Sequence, residues 1–362
     1  MKAPASSTAY TRARTSLKKI TKQLSAGRAA LSDQRKLRIL SIDGGGMRAV
    51  LPAVFLAKLE ERLQMHSGNP QARIVEYFDL LCGTSAGGIL TSLYLAPDQQ
   101  HPASPRYSAR QVLQLYLKGG CESFTADNPD PAARRREKYN TQSFETRLKD
   151  VLGTGLQLGQ FIRPALITAF DLESEQPQFF KSWQHVHLRT WQVARATSAA
   201  PGLFKPAQYP ELLDGRPLID GSIFAGNPAM CAYTLASSIP FSKMDDFSYN
   251  TDFPSADNML LLSIGTGKTT DTTEEKAQVG IRQMMKNLMT SGIQLVDHQL
   301  RQLFSQRKGG TYLRFNPLLP LTEAAIDNAG AAYLNVLIRT ATAYFEQQEA
   351  QMDQLIRRLL DS

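Results

Sequence analysis

Short apolar runs that end in glycine alternate along this chain with segments whose apolar residues follow a helical period. The segment LRILSIDGGGMRAVLPAVFLAKLEERL predicts a buried strand over 38–42, a glycine loop and then a helix. In that helix Lys58, Glu60 and Glu61 are expected to face water. The segment YFDLLCGTSAGGILTSLYLA repeats the order of strand, glycine-rich turn and helix.

Further strands and helices extend the same alternation. LITAF (166–170) and LLLSI (260–264) are predominantly apolar, as in strands that are covered on both faces. WQVARATSAAPG predicts a helix up to Pro201, and residues 322–360 predict the last helices. This order predicts an α/β fold, a three-layer α/β/α sandwich around a mostly parallel central sheet.

Two polar, proline-rich stretches fit this alternation less well. Residues 97–143 and 239–258 are interpreted as surface loops or cap elements over the edge of the sheet. No internal repeat or low-complexity linker divides the chain. We therefore predict one domain over 37–362, preceded by an extension over 1–36.

The positive charge is concentrated in that extension. The formal net charge is +8, but residues 1–38 hold ten lysines or arginines and one acid. The remaining residues are close to neutral, and this argues against a nucleic-acid polymer as the partner. Apolar residues with helical spacing, interrupted by Gly27, are typical of a basic amphipathic helix on an anionic membrane surface. A helix packed on the domain, a partly disordered arm and an organellar transit peptide stay open as alternatives.

The cellular compartment is indicated by three features that the sequence does not show: a membrane span, a secretory signal and closely spaced cysteines. No apolar run approaches the roughly 20 residues that cross a bilayer, and no secretory signal is recognisable at the N-terminus. The three cysteines are far apart in sequence, which argues for reduced thiols and against a disulfide scaffold or zinc site. These features predict a cytoplasmic protein, and the basic extension described above adds an expected peripheral membrane association.

Two glycine turns carry the candidate chemistry. Gly83, Ser85 and Gly87 form the G-x-S-x-G pattern of a strand that turns sharply into a helix and exposes the serine hydroxyl. Three consecutive glycines, 44–46, follow another strand, where backbone N–H groups at a helix start can bind an anionic oxygen. A nucleophile and an oxyanion site are the components that acyl transfer requires.

The base that would activate the serine is Asp220. None of the five histidines follows a late strand at a turn, whereas Asp220 does so in LIDGS. In a partly dry pocket the pKa of a carboxylate rises, so that it can accept a hydroxyl proton. His185 and His187 are expected to alternate along a strand, and without a third ligand they do not indicate a metal site.

The motifs DGGGMR, GTSAGG and DGS, in this order, resemble those of the patatin-like phospholipase family. The resemblance extends over most of residues 37–360 and includes RATSAAPGLFKPA, LLSIGTG and YLRFNP. It implies a Ser–Asp dyad of Ser85 and Asp220. The oxyanion residues that it implies are Gly44, Gly45, Gly46, Met47 and Arg48. Two positions depart from the family pattern: Ala49 replaces a glycine, and Ser222 replaces a glycine or alanine and could lower the pKa of Asp220.

The activity that the resemblance implies is that of a lipid acyl hydrolase of phospholipase A type. Its substrate would be a phospholipid or another lipid ester at a membrane surface. No metal or organic cofactor is implied, since the oxyanion donors come from the backbone. The resemblance leaves two alternatives open: a lipid acyltransferase, and a phospholipase effector, secreted in some members of the family, that is gated by a ligand such as a cyclic nucleotide or by an activating host protein.

Overall fold

The computed structural model describes residues 36–124, 130, 134, 137–241, 252–269, 281–319 and 325–360. The predicted N-terminal extension, apart from Lys36, lies outside these residues, so its amphipathic helix and its boundary with the domain stay predictions.

Within the described residues, nine strands form two sheets. They are β1 Leu37–Ile42, β2 Leu80–Thr84, β3 Ala165–Asp171, β4 Gln176–Lys181, β5 Leu218–Asp220, β6 Met259–Ile264, β7 Lys268–Thr269, β8 Thr311–Phe315 and β9 Leu318–Leu319. The large sheet has the order β4-β3-β2-β1-β6-β8, and β5 also pairs with β3. Five of its strands are parallel, while β4 and β5 run antiparallel to β3. The mostly parallel sheet is confirmed.

Ten α-helices are described. They are α1 Val50–Ser67, α2 Ala86–Leu95, α3 Ala109–Ser123, α4 Thr141–Leu152, α5 Thr190–Thr197, α6 Ser222–Ala225, α7 Ala229–Ala236, α8 Ile281–Ser305, α9 Ala331–Gln347 and α10 Glu349–Leu360. None of the described helices has the length and apolarity that a membrane crossing requires.

The sheet has an apolar core on each face, because strand side chains alternate between the two. Leu40 and Ile42 of β1 pack in one cluster with helices α1 to α4, α9 and α10. Ile39 points the other way and packs with α7 and α8. The predicted three-layer α/β/α sandwich is thereby confirmed.

The expectation that Glu60 faces water is wrong. Its side chain on α1 is 3% exposed. Its carboxylate accepts the backbone N–H groups of Ile74 and Ala109, both at 2.8 Å. Burial raises the pKa of Glu60, and the two N–H donors oppose this. The polar residue is tolerated in the core because its oxygens are hydrogen-bonded there.

Two other local expectations are also wrong. Residues 97–143 are not all surface loop or cap over the edge of the sheet, since α3 begins within them at a capping box formed by Ser108 and Gln111 and packs on α1. His185 and His187 do not lie on a strand. β4 ends at Lys181, whose N–H donates to Nδ1 of His185 and closes a turn.

Candidate active site

The strand register brings Ser85 and Asp220 together. β2 pairs with β3 as far as Thr84, which lies opposite Thr168. β5 pairs with the next part of β3, where Asp220 lies opposite Ala169. Asp220 thus lies beside the position at which β2 ends and Ser85 begins the turn into α2.

Ser85 occupies a sharp turn that only its small neighbours permit. Its backbone has φ 55° and ψ −127°. A Cβ atom on Gly83 would lie 2.3 Å from the carbonyl oxygen of Gly87, and one on Gly87 would lie 2.2 Å from the carbonyl oxygen of Ile42. The two glycines let α2 begin directly against β1 and β2, with Ser85 at the bend.

The hydroxyl of Ser85 donates a hydrogen bond to Oδ2 of Asp220, with an Oγ–Oδ2 distance of 2.5 Å. The two residues are 7% and 4% exposed, so the contact is largely shielded from solvent. None of the five histidines is hydrogen-bonded to either residue in the described structure.

Burial sets the basicity of Asp220. It raises the pKa of this carboxyl to about 6, while hydrogen bonds from Ser85 and from the amide and hydroxyl of Ser222 act in the opposite direction. The Ser222 amide donates to Oδ1 at 2.8 Å. Asp220 is therefore mostly ionised at neutral pH and a stronger base than an exposed aspartate.

The glycine loop lies next to the serine. A Cβ atom on Gly44 would lie 3.2 Å from Cβ of Ser85 and 2.4 Å from Oγ of Ser222.

Three of the five residues with a predicted oxyanion role donate their backbone N–H groups to carbonyl oxygens. The pairs are Gly44 to Gly226, Met47 to Ile326 and Arg48 to Gly45. Within the described residues no acceptor is found for the N–H groups of Gly45 and Gly46. Buried Nε of the Arg48 side chain also has no partner there.

Two residues that the sequence analysis did not single out support this loop. Arg314 of β8 donates to both carboxylate oxygens of Asp43, at 2.8 and 2.5 Å, and both side chains are buried. Thr266 donates its hydroxyl proton to the carbonyl of Gly44 at 2.7 Å. Both lie in the segments YLRFNP and LLSIGTG, which carried a family resemblance but no assigned role.

A bound metal ion would require a group of ligand side chains among the described residues. Across the described residues, no three His, Cys, Asp or Glu side chains are grouped so that they could hold a metal ion.

Comparison with known proteins agrees with the motifs. The sequence model of the family described as "Patatin-like phospholipase" matches residues 40–233. "Patatin-like protein 4" of Arabidopsis thaliana is 33% identical over 243 residues, which is 63% of this chain and 59% of the relative. "Probable inactive patatin-like protein 9" of Arabidopsis thaliana is 32% identical over 248 residues, 65% of this chain and 62% of the relative.

A third relative is covered more completely. "Patatin-like protein 1" of Oryza sativa subsp. indica is 30% identical over 318 residues, which is 80% of this chain and 76% of that protein. The chain thus spans less than two thirds of the first two relatives and about three quarters of the third. On this evidence the chain belongs to the patatin-like phospholipase family.

Proposed function

We propose that the chain is a lipid acyl hydrolase of phospholipase A type, in which Ser85 is the nucleophile and Asp220 the general base. The observation that carries this proposal is the buried 2.5 Å hydrogen bond between Ser85 Oγ and Asp220 Oδ2. Family membership alone is not sufficient, since one relative is named as a probable inactive protein. The dyad geometry supplies the further support.

The reaction proceeds in two halves. Ser85 Oγ attacks the ester carbonyl carbon while Asp220 accepts the hydroxyl proton, and Asp220 then delivers that proton to the leaving alcohol as the acyl-enzyme forms. In the second half Asp220 accepts a proton from water, whose oxygen attacks the acyl carbon. The fatty acid leaves and Ser85 Oγ regains its proton.

The negative oxygen of each tetrahedral intermediate would be bound by backbone donors. The N–H groups of Gly45 and Gly46, for which the described residues provide no acceptor, are the candidates from the glycine loop. Ala86 begins α2, and the first N–H groups of an α-helix have no partner within the helix. The positive end of the α2 dipole would favour the same oxygen.

The proposed substrate is a phospholipid presented at a membrane surface. The family description names phospholipase activity, and an acyl chain needs an apolar approach to the serine. Ile223 follows Ser222, whose amide donates to Asp220, and is 51% exposed, so an apolar side chain close to the dyad in sequence faces solvent. Peripheral membrane association would follow from the substrate.

The experiment compares the protein with its Ser85→Ala variant on mixed phospholipid vesicles, with products identified by mass spectrometry. Free fatty acid and lysophospholipid should accumulate with the wild-type protein and not with the variant. Circular dichroism of both proteins controls for folding. Equal release by the two proteins would eliminate Ser85 as the nucleophile, and transfer of the acyl group to added lysolipid in place of water would show an acyltransferase.

A further inference from the structure

One short segment is hydrogen-bonded to the backbone of both dyad residues. Thr197 ends α5, and its Oγ1 accepts the N–H of Ser85 at 2.8 Å. Two residues later the carbonyl of Ala199 accepts the N–H of Asp220 at 3.1 Å. The amides of nucleophile and base are therefore held by residues 197–199.

The strained backbone of Ser85 makes a hydrogen-bond acceptor for its N–H group important. Its φ of 55° lies in the left-handed region, which a residue with a side chain occupies only when its surroundings enforce it. Its N–H is buried at the bend, and a buried N–H without an acceptor is unfavourable. If φ and ψ relaxed, Oγ would move away from Asp220.

The Thr197 side chain is itself held in place by packing. It is 0% exposed. A Cβ atom on Gly88 would lie 2.8 Å from Cγ2 of Thr197, so the methyl group packs directly on the first turn of α2. Packing of the methyl group keeps the hydroxyl oxygen directed at Ser85.

We propose that Thr197 is a positioning residue whose hydroxyl oxygen holds Ser85 in the conformation that presents Oγ to Asp220. This inference rests on the proposed hydrolase function. Thr197 acts through the Ser85 amide and not on the substrate. Loss of its oxygen should therefore lower turnover and leave substrate binding nearly unchanged.

The test measures kcat and KM for a soluble p-nitrophenyl ester with Thr197→Val, Thr197→Ser and Thr91→Val. Valine removes the oxygen and nearly preserves the volume, whereas serine keeps the oxygen. Thr91 is a matched control, because it is also 0% exposed and its hydroxyl has no partner among the described residues. Thr197→Val should lower kcat about 10–100-fold and change KM less than about twofold. The serine variant and Thr91→Val should retain nearly wild-type kcat.

A crystal structure of Thr197→Val gives a readout that does not depend on turnover. The φ of Ser85 should leave the left-handed region, or Oγ should lie beyond hydrogen-bond distance of Asp220. If the valine variant does not fold, Thr197→Ala is measured in the same way. Wild-type kcat in the variant that lacks the oxygen, or an unchanged Ser85 in its crystal structure, would overturn the inference.

Failure of the proposed function gives a different result. The wild-type protein would then show no hydrolysis that depends on Ser85, whatever residue stands at 197. In that case the crystallographic comparison alone decides whether Thr197 holds the Ser85 backbone.

Discussion

At the scale of single residues, the proposed chemistry depends on the protonation state of Asp220. Its pKa is raised to about 6 by burial, and only the ionised carboxylate can accept the Ser85 proton. Hydrolysis should therefore be lost as the pH falls, with kcat/KM at half its plateau near pH 6. A pH–rate profile on a soluble ester checks this. A midpoint of the pH–rate profile near the pKa of an exposed aspartate would show that the carboxylate that accepts the serine proton is not buried.

Ser222 provides a way to move that midpoint. Its hydroxyl and amide hydrogen bonds lower the pKa of Asp220 against the effect of burial. Ser222→Ala removes the hydroxyl contribution, so the midpoint of the pH–rate profile should shift to higher pH. Ser238→Ala, at an exposed position after α7, should leave the midpoint unchanged. Ser222 is one of the two positions at which the sequence departs from the family pattern. The lowering of the Asp220 pKa that its hydroxyl was expected to cause agrees with its contacts.

At the scale of elements, α2 approaches β1 so closely at Gly87 that no space is left for a side chain. A Cβ atom there would meet the carbonyl oxygens of Ile42 and Asp43 at 2.2 and 2.7 Å. Gly87→Ala should lower the free energy of unfolding by about 2 kcal/mol or more, since backbone atoms must move. Urea denaturation measures this change.

Gly119 is the matched control for that substitution. It lies within α3, and a Cβ atom added there would have no neighbour within 4 Å. Gly119→Ala should raise the free energy of unfolding by about 0.5–1 kcal/mol, because alanine favours a helix. Similar destabilisation by both substitutions would mean that the elbow is not tightly packed.

The elements themselves could be predicted to different degrees. Each of the apolar strands β1, β3 and β6 is found within one residue of its predicted ends, because a continuous apolar run is a local property of the sequence. α3 was not predicted, because it lies in a proline-rich stretch and its apolar side chains are covered only through contact with other helices, α1 among them. Glu60 was misjudged for the same reason: its donors, Ile74 and Ala109, come from other segments.

At the scale of the whole molecule, β8 stabilises the glycine loop through a buried ion pair. Arg314 lies beyond residues 40–233, the part that the family model matches, yet it pairs with Asp43 at the start of the loop. Arg314→Leu leaves the buried carboxylate without its partner and should cost about 3–5 kcal/mol of the free energy of unfolding. Thermal and urea denaturation measure the loss.

An exposed ion pair controls for the loss of positive charge. Arg307 and Asp257 are 49% and 42% exposed in their side chains. Arg307→Leu should therefore change the free energy of unfolding by only about 0–1 kcal/mol. Equal losses in the two variants would contradict the role assigned to Arg314.

By itself the sequence determined the local features: the glycine turns, the strands beside them and the candidate residues Ser85 and Asp220. These follow from the sterics of glycine and from the spacing of apolar residues, which act between near neighbours in the chain. Only the tertiary structure decided that β5 pairs with β3 beyond the end of β2 and so brings Asp220 to Ser85. It also decided which N–H groups of the glycine loop are already bonded and that Thr197 accepts the amide of Ser85. Such pairings join distant segments, and the packing of the whole core selects them, so no local pattern reports them.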